Sequence, residues 1–113
     1  MKQYSPSSLS EPTFLILLSL AGGPRHGYAI LKEVHSLSGG RVRLSTGTLF
    51  GAIKRLLDLG WIERSESMDE PSDGRTRIYY ELTPRGRLAL QAETERMEDL
   101  VHLARWITDG GTP

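Results

Sequence analysis

The apolar period of this chain changes at Gly60, and that change limits the folds open to it. Before Gly60, Leu49, Ile53, Leu56 and Leu57 fall at i, i+4, i+7 and i+8, one buried stripe of a helix. After Gly60 the period is two. Residues 61–64 read as a strand, and residues 75–82 as its return partner. In the return strand Thr76, Ile78, Tyr80 and Leu82 share a face suited to a core. Arg75, Arg77, Tyr79 and Glu81 share the other, suited to water or phosphate. The loop between the strands is polar and acidic, with Pro71 and Asp73-Gly74 favouring a turn. A helix therefore hands over directly to a hairpin.

Residues 1–9 are polar and Ser-rich and are expected to form a flexible N-terminal arm. Ser10-Glu11-Pro12 opens a first helix with a cap, an acid at the positive end and proline in the first turn. That helix carries Phe14 to Ala21, is apolar nearly all round, and is broken by Gly22-Gly23-Pro24. A second helix is expected over about 27–37, with His26 helping to start it and Gly39-Gly40 ending it. Residues 41–44 alternate basic and apolar and suggest a short strand. Ser45 or Thr46 caps the third helix, and Gly60 stops it in a left-handed conformation. Thr83 as cap and Pro84 in the first turn open a last helix over 84–108, leaving 109–113 as a tail.

The order is helix, helix, helix, strand, strand, helix. This is a mainly α (α+β) fold, a winged helix-turn-helix over residues 10–83 followed by a C-terminal dimerisation helix. In such a domain the third helix enters the major groove of double-stranded DNA and the hairpin touches the flanking backbone.

Length and composition fit this reading. At 113 residues the chain makes one domain. It has no cysteine, so disulfides and thiolate metal sites are excluded. The formal net charge of +0 argues against a basic coat but not against a local basic face. No apolar run is long enough to span a membrane and no secretory signal is visible, so a cytoplasmic protein is expected. His26, His35 and His102 are scattered, without a second ligand at metal spacing. No catalytic triad, carboxylate pair or phosphate loop emerges, so neither an enzyme nor a cofactor is expected.

The outer face of the third helix carries Gly47, Thr48, Gly51, Lys54 and Arg55. A helix-interior glycine costs about 1 kcal/mol relative to alanine, so Gly51 asks for a reason, and close approach to a partner is one. Lys54 and Arg55 suit phosphates, and Arg55 suits guanine edges; a solvated face paired with Asp58 is the competing reading. Thr48 suits a base edge or thymine methyl, or else a cap. Tyr28 offers a hydroxyl to phosphate, or wedges between helices. Arg75 and Arg77 form a phosphate clamp, unless they pair across the strands with Glu63. Arg41 and Arg43 are weaker phosphate candidates.

Four segments resemble the PadR family of bacterial winged-helix regulators. They are His26-Gly27-Tyr28-Ala29-Ile30, Ser45-Thr46-Gly47-Thr48-Leu49-Phe50, residues 56–62 ending Leu59-Gly60-Trp61-Ile62, and residues 74–86 from Gly74-Arg75-Thr76 to Thr83-Pro84-Arg85-Gly86. They cover about 14–90 in the family's order, and the short last helix resembles its smaller branch. The resemblance implies a homodimeric repressor, with DNA contacts from Tyr28, from Ser45, Thr46 and the rest of the third helix's start, and from the wing. Two departures stand out. The family usually has Tyr-Pro after Gly-Thr-Leu; here the pair is Phe50-Gly51, without the hydroxyl and with a less rigid first turn. The wing tip, residues 66–73, is acidic, which shifts the expected contacts to Arg75 and Arg77.

In the last helix Leu90, Met97, Leu100 or Val101, Ala104 and Ile107 form a heptad-like seam. It packs on its own domain or pairs with a second copy of the chain; a helix following a complete domain favours the dimer. Trp106 lies near its end, and some relatives stack planar aromatics on an interface tryptophan, so a small aromatic effector is a further expectation. Two other functions fit the same fold: a winged-helix protein–protein module, and a small-molecule sensor with a dimer-interface pocket.

Overall fold

Local capping chemistry sets nearly every helix boundary in the computed structural model, which describes residues 9–66 and 77–111. Helix α1 spans Glu11–Ala21, and the Ser10 Oγ accepts the Thr13 N–H at 3.2 Å. Its Leu15, Ile16, Leu17 and Leu20 are buried, and buried Ser19 is satisfied by donating to the Ile16 carbonyl at 2.7 Å. Helix α2 spans Gly27–Leu37, and the His26 Nδ1 accepts the Ala29 N–H at 3.1 Å, so this histidine does start the helix. Helix α3 spans Thr46–Leu59. The Ser45 Oγ accepts the Thr48 N–H at 3.1 Å, and Gly60 closes the helix at φ 76°. Its buried stripe is Leu49, Ala52, Ile53 and Leu56, with Leu57 half-buried beside it.

Three strands form one antiparallel sheet in the order β1-β3-β2. They are β1 (Arg25–His26), β2 (Ile62–Arg64) and β3 (Tyr79–Leu82). The short strand expected over 41–44 does not form; the third strand comes from Arg25–His26, which pairs with Tyr79–Tyr80 on the free edge of β3. Residues 41–44 are committed elsewhere. Val42 and Leu44 pack against the core, the Val42 N–H donates to the Ser38 Oγ at 2.9 Å, and Arg41 is paired with Glu11. On β3 the expected core face holds at Tyr80, which is buried, and partly at Leu82, but Ile78 is exposed. Thr76 and Arg75 lie outside the described residues.

Helix α4 spans Pro84–Thr108 behind the Thr83 cap, whose Oγ1 accepts the Gly86 N–H at 3.0 Å. Thr83 also donates its hydroxyl to the Gly60 carbonyl at 2.7 Å and its N–H to the Trp61 carbonyl at 3.0 Å. Gly86 is buried against that corner. A Cβ on it would lie 1.9 Å from the Trp61 carbonyl oxygen, so only glycine lets α4 come this close. Leu90 then joins the core.

Glu93, one turn on, is 2% exposed. It accepts hydrogen bonds from the Arg96 Nε at 3.0 Å and from the Leu9 N–H at 3.3 Å. The Arg96 guanidinium, with help from that N–H, holds the carboxyl below the usual range against the opposing effect of burial. Leu9, expected in a loose arm, is thereby tied to α4; residues 1–8 of that arm lie outside the described residues. Beyond Glu93 no residue of α4 is buried.

Candidate nucleic-acid interface

The third helix presents the face its periodicity implied. Ser45, Thr46, Gly47, Thr48, Gly51, Lys54 and Arg55 are all exposed. No atom lies within 4 Å of where a Cβ would stand on Gly47 or Gly51, so the fold itself does not require glycine at either position. The surface at these two glycines is open. The Ser45 hydroxyl donates to the Thr48 Oγ1 at 3.0 Å, so Thr48 takes part in the cap while remaining exposed. Among the described residues neither Lys54 nor Arg55 pairs with Asp58; the Arg55 guanidinium makes only a long 3.5 Å contact to the Gly51 carbonyl.

Beside α3 the start of α2 and strand β3 form a second wall. Tyr28 is 53% exposed and is not wedged between helices. With His26, Gly27, Phe50, Arg77, Ile78 and Tyr80 it lines a cavity of about 230 Å³. The Phe50 ring lies on Gly27, where a Cβ would come within 2.6 Å of Cζ. The His26 and Tyr79 rings meet edge to face at 5.3 Å, which fixes the wall to the sheet. Sequence reasoning did not assemble this recess, although His26-Gly27-Tyr28 and Phe50 both lie in the motifs it singled out. What brings them together is the pairing of β1 with β3, which local periodicity does not report.

Other expected residues divide. Arg77 is half-buried and lines the recess; Arg75 lies outside the described residues. Glu63 stands directly opposite Glu81 in the ladder, so the register does not set it across from an arginine. Arg41 makes a two-armed pair with Glu11, with the Nη1–Oε1 contact at 3.1 Å, which holds the Glu11 carboxyl below its usual range and commits Arg41 to joining α1 to the loop before α3. Arg43 stays exposed beside Lys32 and His35 along a shallow groove. Among the described residues no three His, Cys, Asp or Glu side chains gather to hold a metal, and no helix is long and apolar enough to cross a membrane.

On α4 the expected seam needs correcting at its start. Leu90 is 7% exposed and belongs to the core of its own domain, so it is not available to a partner. Met97 is half-buried, whereas Leu100, Val101, Leu103, Ala104, Trp106 and Ile107 are exposed. Trp106 also packs on the chain's own end: a Cβ on Gly111 would stand 2.4 Å from its indole, and the Gly111 N–H donates to the Trp106 carbonyl at 2.8 Å.

This arrangement has known counterparts. A PadR family transcription regulator from hypervirulent Clostridium difficile R20291 is similar at a TM-score of 0.71 and 25% identity, over 88% of this chain and 99% of that one. A transcriptional regulator from Clostridium thermocellum is similar at a TM-score of 0.68 and 26% identity, over 83% and 86%. An uncharacterized 37.1 kDa protein in transposon TN4556 of Streptomyces fradiae is 37% identical over 93 residues, 80% of this chain. This chain spans only 24% of that relative's length. The sequence profile of the transcriptional regulator PadR-like family matches residues 16–92, two-thirds of the molecule from α1 into α4. The chain belongs to the PadR-like family of DNA-binding transcriptional regulators.

Proposed function

We propose that this protein is a homodimeric repressor that binds a palindromic operator and is released by an effector, acting in the cytoplasm. Residues 10–83 would form the DNA-binding unit and the helix over 84–108 the dimerisation element. The observation that carries the reading is the apolar stripe left on α4 beyond Glu93. Leu100, Val101, Leu103, Trp106 and Ile107 remain about half exposed, although the domain they follow already has a complete core. A second copy of the same helix would bury them, and a two-fold pairing would present two α3 helices to successive major grooves. Tyr28, the start of α3, Lys54, Arg55, Arg75 and Arg77 would hold each half-site. An effector would act by changing the separation of the two reading helices.

The test is a mobility shift on the DNA upstream of the protein's own gene, repeated at several salt concentrations. Specific binding there, with affinity falling steeply as salt rises, supports the reading. Binding no tighter than to random DNA at physiological salt would count against repression and favour a winged-helix protein–protein module, for which the neutral net charge is the supporting observation.

A further inference from the structure

We propose that Phe50 is a specificity-determining residue that reads the methyl group of a thymine in each operator half-site; this rests on the DNA-binding function proposed above. The recess formed by the start of α2, Phe50 and β3 contains apolar surface that phosphate binding does not use, the Phe50 ring and Ile78. Phe50 and Ile78 are 43% and 46% exposed, and they share a recess with His26, Tyr28 and Arg77. Arg77 and the Tyr28 hydroxyl suit phosphates, but phosphates and base-edge donors and acceptors gain nothing from the Phe50 ring and Ile78 beside them. The thymine methyl is the apolar group that a base presents in the major groove, and an aromatic side chain is among its usual contacts.

Phe50 is placed to make this contact. It stands in the first turns of α3, the helix that enters the groove, and its ring is supported from behind by the Gly27 backbone. A ring held this way contacts an apolar group without first having to be ordered. Position 50 carries a phenylalanine ring without a hydroxyl, so its contact is apolar. Thr48, the other candidate for a methyl contact, does not line the recess and stands two residues before Phe50, on the opposite flank of the helix.

The experiment uses the full chain and a duplex selected by it from a random-sequence pool. Each thymine of that duplex is replaced in turn by deoxyuridine, which removes only the methyl. One thymine per half-site should lose roughly fourfold in affinity, the worth of burying one methyl group. In Phe50→Ala that loss should vanish, while in Phe50→Leu, which keeps an apolar side chain, it should persist. Circular dichroism melts of both variants establish that they are folded. If the selected duplex is bound specifically but no thymine is methyl-sensitive, the inference fails and the function stands. If methyl sensitivity survives Phe50→Ala, Thr48 or another residue is the reader and the inference fails. If Phe50→Ala weakens every duplex equally, the ring packs on deoxyribose and the inference fails. If the pool yields no preferred sequence, the proposed function itself fails.

Discussion

Gly51 and Gly86 are both helical glycines, and the same substitution is expected to act on them with opposite sign. Gly51 faces open space, so Gly51→Ala adds a helix-favouring methyl without a clash. It should stabilise the fold by about 0.5–1 kcal/mol. If the backbone of α3 approaches DNA at this point, the same methyl should weaken operator binding. Gly86 is closed in by backbone, with the Trp61 carbonyl 1.9 Å from any Cβ. Gly86→Ala must push α4 away from the corner at Gly60-Trp61 and should cost on the order of 2–3 kcal/mol or more. Urea melts of the two variants, with DNA titrations of Gly51→Ala, separate the cases. A Gly51→Ala protein that is stabilised and binds DNA as tightly as the parent would show that the glycine has no role at the interface.

At the scale of elements, α4 is fastened to the domain by a carboxylate that no apolar pattern includes. Glu93 is held below its usual pKa by Arg96 and the Leu9 N–H. A depressed carboxylate contributes stability above its unfolded-state value of about 4.3, and the contribution is lost as pH falls through that value toward the lower folded one. The stability gap between the parent protein and Glu93→Gln should therefore be widest near neutral pH and shrink below about pH 4.5. Urea midpoints at several pH values would measure it, and a gap independent of pH would remove Glu93 as the cause. The same residue shows where the sequence was legible and where it was not. Helix limits were readable because Ser10, Ser45, Thr83 and Gly60 act on backbone groups within a few residues of themselves. Strand β1 was not, because two residues carry no periodicity and Arg25-His26 becomes a strand only when β3 arrives from more than fifty positions away. Glu93 had a signal: it stands three residues after Leu90 and four before Met97, on the seam itself, but its charge disguised it as a surface position. The recess at Phe50 showed only as separate motifs, since its walls come from four elements, β1, α2, α3 and β3, that only the fold brings together.

For the whole molecule, the decisive quantity in the proposed dimer would be the distance between its two α3 helices, which would depend on what covers the end of α4. Leu103 and Ile107 lie one turn apart on the exposed stripe and contribute nothing to the chain's own core. Leu103→Glu with Ile107→Glu should therefore leave the monomer's melting behaviour nearly intact. Each apolar side chain removed from an interface costs about 1.5–3 kcal/mol, and the acidic replacements add repulsion, so dimerisation should weaken by at least about 100-fold. Sedimentation equilibrium at micromolar concentration would then report a monomer in place of a dimer. DNA affinity should fall with it, because a single helix reaches only one half-site. The parent protein should in turn show a strict spacing requirement. Half-sites one helical turn apart, about 34 Å, place both α3 helices on one side of the duplex. Inserting five base pairs at the operator centre turns the second half-site to the far side, where a dimer held by rigid helices cannot follow. Binding should then drop to the level of an isolated half-site and recover when ten base pairs are inserted only if the interface yields. If the five-base-pair insertion leaves affinity unchanged, the two domains are not held by α4 in the way proposed, and the exposed stripe must have a different occupant.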